Sequence, residues 1–402
     1  MAERERFDVA VIGAGPAGSI AACVAARRGL RVALVDQRTF PRDKACGDGL
    51  GPGVAALLDD LDLAHVLAGE VPARALTVYG PDGVVLDADL PPASGRGHVV
   101  PRIDFDDRLH TAALARGAVD LSGHKLLDSG LSARCRWVTL RGPGGQSTIE
   151  APLVVGADGA YSTLRRLLGV PKNPDQHMAV AMRAYAKSTM FDPDGALRPR
   201  LVFEFSRSLL PAYGWIFPTG KGVVNVGVGL MLPHLQRREH DLRTLLHKFV
   251  ISCRERGIEL GEPYQERAHH LPTAGALPPL AHERAVLIGD AGSMINPVSG
   301  EGIVYGMRAA RRLVEGLPAD LADPVALRRS LRGFERRFRR EHRAHIYSSL
   351  AAHRLLSSPW WTKRVVTAAQ RDPNVLRDAI DLLFDLGRLR PSTTVRILRH
   401  GW

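Results

Sequence analysis

The sequence predicts an α/β fold: a parallel-sheet domain, an antiparallel β-sheet inserted into it, and a C-terminal helical region. Three observations lead there. Residues 7–36 read FDVAVI, GAGPAG, SIAACVAARRG and LRVALVD, two apolar β-branched runs joined by a helix-like segment, as in buried parallel strands with a crossover helix. Residues 176–271 hold HMAVAMRAYAK, RLVFEFS, YGWIFPT and GVVNVGVGL, alternating or β-branched runs that suit antiparallel strands. From Asp323-Pro324, an N-cap followed by proline at the first helical position, Leu327, Leu331, Phe334 and Phe338 recur at helical spacing; SSPWWTKRVV breaks that pattern, and Asp372-Pro373 starts another helix with Leu376, Ile380 and Leu383.

The first unit is built for a dinucleotide. Gly13, Gly15 and Gly18 stand in G-x-G-x-x-G spacing between a strand and a helix. Gly13 permits the tight turn, Gly15 lets a pyrophosphate approach the backbone, and Gly18 lets helix and strand pack closely. The helix N-terminus offers N–H groups and partial positive charge to phosphate. Asp36 ends the second strand, where a carboxylate can bind ribose hydroxyls. Gly29 suits the position just after the helix.

That unit alone does not separate NAD from FAD. Two later stretches do. APLVVGADGAYSTLRRLLG gives Gly156, Asp158, Gly159, Ser162 and Arg165; RAVLIGDAGSMINPVSGEGIVYGMRAARRL gives Gly289, Asp290, Asn296, Pro297, Gly300, Glu301 and Gly302. With the first motif they resemble the fingerprint of the FAD-dependent p-hydroxybenzoate hydroxylase superfamily. The resemblance implies that Asp290 bonds the ribityl chain and that the backbone near Gly300 and Gly302 lies by the flavin pyrimidine ring. PRIDFDDRL matches a further element and makes Arg102 a flavin contact; otherwise it is a surface arginine starting a helix.

KACGDGLGPG (residues 44–53) and LPAYGWIFPTGKGVVNVGVG narrow this further. Cys46, Gly47, Tyr213, Trp215, Phe217, Pro218, Asn225 and Gly227 resemble the motifs of the geranylgeranyl reductase family, over about residues 7–310. Those enzymes use FAD to saturate isoprenoid double bonds. Ala212, Gly51 and Gly53 depart from the family pattern, which leaves the substrate open. The flavin halogenase signature differs at Tyr213 and Phe217.

The resemblance implies a Rossmann-like FAD-binding domain (residues 1–73, 97–175 and 272–320), an inserted antiparallel β-sheet substrate domain (74–96 and 176–271) and a helical region (321–402). The cofactor set is Gly13, Gly15, Ala17, Gly18, Asp36, Gln37, Arg38, Cys46, Gly47, Arg102, Asp158, Gly289, Asp290, Gly300, Gly302 and Ile303. The substrate cavity is given to Gly49, Leu50, Tyr213, Trp215, Phe217 and Pro297. Cys46 is the candidate catalytic residue, as a thiol that delivers or orients a proton; it reads equally well as a small apolar wall. The expected reaction is reduction of carbon–carbon double bonds of an isoprenoid or polyene substrate, with FAD as cofactor and NAD(P)H or a separate reductant as electron source. A flavin monooxygenase or epoxidase shares the same motifs and stays open; a non-catalytic flavin-binding protein would need neither the Cys46 loop nor the aromatic block.

Composition sets the remaining bounds. The 402 residues, 45% hydrophobic, allow two or three cores. No apolar run approaches the roughly 20 residues that span a bilayer, and the charged N-terminus lacks a signal-peptide pattern, so a cytoplasmic protein is expected. The cysteines, at 23, 46, 135 and 253, form no CxxC pair, and neither a metal site nor a disulfide framework is expected. The net charge of +12 comes from 47 arginines beside 7 lysines. No nucleic-acid motif accompanies it. Trp360, Trp361, Lys363 and Arg364 would suit a peripheral membrane contact, or a packed helix with a solvated basic face.

Overall fold

Val9–Ile12 lies near the middle of a six-stranded sheet and is buried along its whole length. The computed structural model describes residues 4–70, 72–90, 97–192, 194–197, 200–237 and 241–401. The strand order is Ala281–His282, Ala285–Leu287, Leu153–Gly156, Val9–Ile12, Val32–Asp36, Val119–Ser122. The last five run parallel, and Ala281–His282 returns antiparallel. Side chains alternate across it. Val9, Val11, Val32 and Leu34 join the core that contains helices Pro16–Arg27, Arg102–Ala115 and Ile303–Glu315. Ala10, Ile12, Ala33 and Val35 face the opposite core. Both faces are covered, which is why these strands read as unbroken apolar runs.

The opposite face carries a four-stranded sheet that the sequence reading missed. Its order is Glu5–Arg6, Gly145–Ala151, Arg136–Gly142, Lys125–Leu131. Only Leu126, Val138, Leu140, Ile149 and Ala151 are buried apolar positions there, and the outer face is polar. The apolar signal is therefore sparse along the chain.

The glycine turn has the geometry its motif implies. Gly13 has a φ of +99°, and a Cβ there would stand 2.3 Å from the Ala157 carbonyl oxygen. A Cβ on Gly18 would stand 1.7 Å from the Gly13 carbonyl oxygen. Helix Pro16–Arg27 can seat on the sheet only because Gly18 has no side chain.

The inserted sheet has seven strands, in the order Tyr264–Pro272, Met178–Lys187, Val223–Met231, Tyr213–Pro218, Arg200–Glu204, Ala75–Tyr79, Val85–Asp89. It is antiparallel except where Arg200–Glu204 pairs parallel with Ala75–Tyr79. A turn at Pro81–Gly83 joins the last two strands, with Asp82 and Gly83 at positive φ. Helix Leu242–Glu255 packs a core on one face of this sheet. Residues 91–96 of the expected 74–96 segment lie outside the described residues, as do 1–3 and 402 at the ends.

Helices Pro324–Leu356, Pro359–Arg371, Pro373–Phe384 and Pro391–His400 close the chain. Asp323 and Asp372 cap the first and third as expected, their carboxylates accepting from Val325 N and Asn374 N. The SSPWWTKRVV stretch was expected to break the helical pattern. The break is confined to Ser357–Ser358, and WWTKRVV lies inside a helix. Trp360 is exposed, but Trp361 packs on the core, Lys363 pairs with Asp82 at 3.2 Å, and the buried Arg364 guanidinium lies 4.0 Å from the Trp360 ring. This group does not form one exposed anchor. Among the described residues no helix is long and apolar enough to cross a membrane.

Gly18→Ala is expected to lower stability by about 3 kcal/mol, because overpacking against backbone cannot be relieved by a rotamer change. At about 2.1 cal/mol/K of unfolding entropy per residue, a 402-residue chain shifts by roughly 1 °C per kcal/mol, so the melting temperature should fall by about 4 °C. A melting curve within 2 °C of wild type would show that the helix does not depend on this contact.

Candidate active site

Two cavities meet between the sheets. The larger, of about 700 Å³, runs along the carboxyl ends of the parallel strands, where open α/β sheets bind ligands. Gly13, Gly15, Ala17, Asp36, Gln37 and Arg38 line it, as do Arg102, Asp158, Gly289, Asp290, Gly302 and Ile303. Twelve of the sixteen expected cofactor residues are thus brought together. Gly18 does not line the cleft and acts through packing.

The walls of this cleft are charged and already interlocked. The Asp36 carboxylate accepts from Ala14 N (3.0 Å), Arg38 N (3.0 Å) and Arg42 Nη2 (3.2 Å). Arg42 also donates to Asp106 at 3.1 Å, and Asp106 accepts two hydrogen bonds from Arg102, at 2.6 and 2.7 Å. Asp158 accepts from the Ser162 hydroxyl and from Leu164 N, and so holds its own loop.

The cleft fits FAD on direct observation. No side chain caps helix Pro16–Arg27 at Gly15. The space where a Gly15 Cβ would stand lies 3.7 Å from Arg42 Nη2 and 3.9 Å from Arg102 Nη2. Arg42 Nε is buried without a hydrogen-bond partner among the described residues. Bare backbone, a helix N-terminus and two guanidinium groups converge as a pyrophosphate requires.

The smaller cavity, of about 150 Å³, opens off the first at Lys44, Ala45, Arg102, His269, Asp290 and Ile303, which line both. Lys44 Nζ donates to Asp290 at 2.9 Å. Burial works against ionisation of Asp290, but the Lys44 ammonium outweighs it and holds the carboxyl below its usual range. Burial takes His269 down to about 4, so its imidazole is neutral at physiological pH.

Cys46, Gly47, Gly49, Leu50, Tyr213, Trp215, Phe217 and Gly300 line this second cavity. Cys46, Gly47 and Gly300 were expected at the cofactor; they line this apolar side and not the nucleotide cleft. Pro297 was expected here and is not. It borders a separate recess of about 30 Å³ on the far side of Tyr213 and Gly300, because the Asn296–Ser299 turn carries it away.

The glycine loop is pressed against aromatic rings of the inserted sheet. A Cβ on Gly47 would lie 3.3 Å from Trp215 Nε1, and one on Gly49 would lie 3.1 Å from Phe217 Cε2. The Trp215 ring in turn lies over Gly227, where a Cβ would be 2.1 Å from Cζ2. Tyr213 donates to the Ser299 carbonyl at 2.7 Å.

A buried carboxylate fixes the loop. Asp48 is fully buried, with a φ of +61°. It accepts from Arg102 N (3.1 Å), the Tyr185 hydroxyl (2.7 Å) and Asn225 Nδ2 (2.8 Å). Asn225 Nδ2 also donates to the Cys46 carbonyl at 2.8 Å, and Asn225 Oδ1 accepts from Trp215 Nε1 at 2.9 Å. Five residues earlier, Asp43 takes both oxygens to Arg183 at 2.7 and 2.6 Å. The sequence reading gave no role to Asp48, Lys44, Arg183 or Tyr185. Asn225 stood in the motif without one.

Cys46 and Glu301, like the Tyr213 phenol, keep their protons longer than usual in this cavity. Burial pushes the half-buried Cys46 thiol up, against the lowering field of Arg102. Burial also raises Glu301, whose Oε1 accepts from Val304 N at 3.1 Å. Among the described residues no group of side chains is arranged to hold a metal ion.

The chain is similar to known proteins in sequence and in fold. The model of the FAD binding domain family matches residues 6–324. The chain is 38% identical to the menaquinone reductase of Mycobacterium tuberculosis over 325 residues, 80% of this chain and 79% of that protein. It is 32% identical to the geranylgeranyl diphosphate reductase of Rhodobacter capsulatus over 345 residues, 79% and 78% of the two chains. The crystal structure of a geranylgeranyl bacteriochlorophyll reductase-like protein from Thermoplasma acidophilum superposes with a TM-score of 0.82 at 20% identity, covering 100% of this chain and 97% of that one.

Asp48 supplies a pH test. Burial pushes it up to about 6, against the lowering effects of Tyr185, Asn225, Arg183 and Arg102 N. A folded-state value above the unfolded one means that the native protein binds more protons between the two. Its stability must then fall as pH rises from about 4 to about 6, by roughly 3 kcal/mol for a two-unit shift. Asp48→Asn cannot titrate. The wild-type minus Asp48→Asn stability difference, measured by urea unfolding from pH 4 to 7, should decline across that window; a difference that is flat in pH would contradict the assignment.

Proposed function

This chain belongs to the FAD binding domain family as a geranylgeranyl reductase-type flavin-dependent oxidoreductase, and we propose that it reduces carbon–carbon double bonds in an isoprenoid chain. The observation that carries the reading is the apolar cavity walled by the Cys46 loop and Trp215, opening directly onto the charged nucleotide cleft. The named substrates of the two relatives, menaquinone and geranylgeranyl diphosphate, share an isoprenoid chain and little else. A prenylated quinone is the substrate class we infer, from the higher identity to the menaquinone enzyme.

FAD, when bound, supplies the hydride chemistry. The chain's residues do the rest. Gly15 with Arg42 and Arg102 would hold the FAD pyrophosphate, and Asp36 would accept from its ribose hydroxyls. Asp290, ionised by Lys44, would hold its ribityl hydroxyls where the two cavities join. Trp215, Phe217 and Leu50 exclude water and hold the alkene. Cys46 Sγ keeps its proton at neutral pH, because burial raises it, and gives that proton to the carbon beside the one that receives hydride. NAD(P)H is the electron source in this reading. The one G-x-G-x-x-G motif would hold FAD, so the nicotinamide would dock transiently.

Two measurements test these roles. The purified protein should be yellow with non-covalent FAD, and Gly15→Val should remove it, because the added methyl groups fill the space between the loop and the guanidinium groups. Full FAD retention in that variant would overturn the cradle. Cys46→Ala should slow alkene turnover by about 10²–10⁴-fold, the usual worth of a general acid, while bleaching of the yellow colour by NAD(P)H changes less than twofold. Cys46→Ser should lie between. Near-wild-type turnover in Cys46→Ala would remove the thiol from the chemistry and leave Glu301 and Tyr213 as the remaining acids of the cavity.

A further inference from the structure

A second apolar chamber, of about 130 Å³, lies behind the wall of the active-site cavity. The two cavities share three lining side chains, Phe203, Ile380 and Phe384. We propose that this chamber is a subsite for the isoprene unit next to the reacting one, and that Phe384 with Phe203 forms the partition the chain threads past. The inference rests on the isoprenoid reading above and adds where the chain goes.

Size is the first argument. Protein interiors hold few voids larger than a water molecule. Here two adjoin, of about 150 and 130 Å³. A dry apolar cavity of about 150 Å³ takes a six-carbon ring, so each is matched to one five-carbon isoprene unit. Neither alone would hold two.

Chemistry is the second. The chamber lies between the outer strands Ala75–Tyr79 and Val85–Asp89 and the last three helices, and its walls are mainly Leu, Val, Ile, Ala and Phe. Two of its few polar side chains are turned to protein partners: Thr362 donates to the Leu356 carbonyl, and Thr393 donates to Asp378. A headgroup or a nucleotide would find little to bond there. An unsaturated hydrocarbon needs nothing more.

The partition is held in place, which a chance void would not require. Its segment, 382–387, is tied down by backbone carbonyls. Leu382 O accepts from Asn296 Nδ2 (2.9 Å), Leu383 O from the Ser299 hydroxyl (2.7 Å), and Asp385 O from the Tyr305 hydroxyl (2.8 Å). His345 Nδ1 meets Gly387 O at 2.8 Å. The donors at 296–305 come from the turn and helix that border the active-site cavity. On the other side, a Cβ on Gly51 would stand 3.3 Å from Phe384 O and 3.6 Å from its Cβ. The Cys46 loop therefore abuts the partition, and Phe384 stands 6.2 Å from Phe203, ring centre to ring centre.

The test uses naphthoquinones carrying one, two or three isoprene units, and a saturated-chain analogue with a diazirine at its end. In wild type, kcat/KM should rise at least tenfold at the length that first reaches the chamber. Ala379→Phe fills the chamber from helix Pro373–Phe384. It should erase that rise while leaving the shortest substrate within twofold. Photolysis of the diazirine analogue on the wild-type holoenzyme should label peptides from residues 362–397. Equal loss at every chain length, or labelling confined to the 44–52 loop or the outer surface, would overturn the subsite. Labelling of 362–397 without reduction of any substrate would uphold the chamber and sink the alkene-reduction reading instead.

Discussion

The site depends on one buried carboxylate. Asp48 gathers the backbone N–H of Arg102, the hydroxyl of Tyr185 and the amide of Asn225. Those three donors belong to the first turn of helix Arg102–Ala115 and to the strands Met178–Lys187 and Val223–Met231 of the inserted sheet. A fully buried carboxylate is costly unless its oxygens are satisfied, and only this arrangement of loop, helix and sheet satisfies them. The demand runs in both directions. The glycines around Asp48 leave the loop without side-chain packing of its own, and the carboxylate supplies the missing restraint. Removing it would take the acceptor from the Tyr185 hydroxyl, the Arg102 N–H and one of the two Asn225 amide hydrogens, the other staying on the Cys46 carbonyl, at about 1–3 kcal/mol for each lost bond.

The same knot separates two dielectric environments. On one side Asp36, Arg42, Asp106 and Arg102 form a ladder of alternating charge along the nucleotide cleft. On the other side the cavity is walled by Trp215, Phe217, Phe203 and Leu50. Charge close to an apolar cavity acts more strongly than charge in water. Lys44 and Asp290 stand at the junction and neutralise each other there. An elongated cofactor crossing that junction would have its anionic part among guanidinium groups and its ring beside hydrocarbon. The Cys46 thiol lies on the hydrocarbon side, where burial favours the protonated form.

Much of this was legible in the sequence, and the reasons differ by element. The parallel sheet showed itself because both faces are buried, so Val9–Ile12 and Val32–Asp36 are continuously apolar. Gly13 and Gly18 were readable because backbone clashes at 2.3 and 1.7 Å admit no other residue. The four-stranded sheet was not readable, since its outer face is polar and its register carries a bulge between Leu126 and Asp128. Asp48 was not readable either. One aspartate among glycines looks like a turn, and its partners lie more than 130 positions away at Tyr185 and Asn225. The placement of Cys46 was half-legible. The motif put it near the ring, but only the fold puts Gly47 against Trp215 and the loop on the apolar side.

The C-terminal helices complete the cavity rather than merely cover it. Of its wall residues, Ile380 and Phe384 come from the helix Pro373–Phe384, far in sequence from the loop at 44–53 that they face. That helix has few polar contacts with the cavity itself; its position is set by its last turn. There the carbonyls of Leu382, Leu383 and Asp385 lack intrahelical donors, as the end of any helix leaves them. Asn296, Ser299 and Tyr305 supply those donors from the turn and helix of the third motif. A general property of helix ends, unsatisfied carbonyls, is thus what joins the last domain to the flavin-side loop. The aromatic partition between the two apolar chambers is positioned by backbone hydrogen bonds, and its side chain lines both.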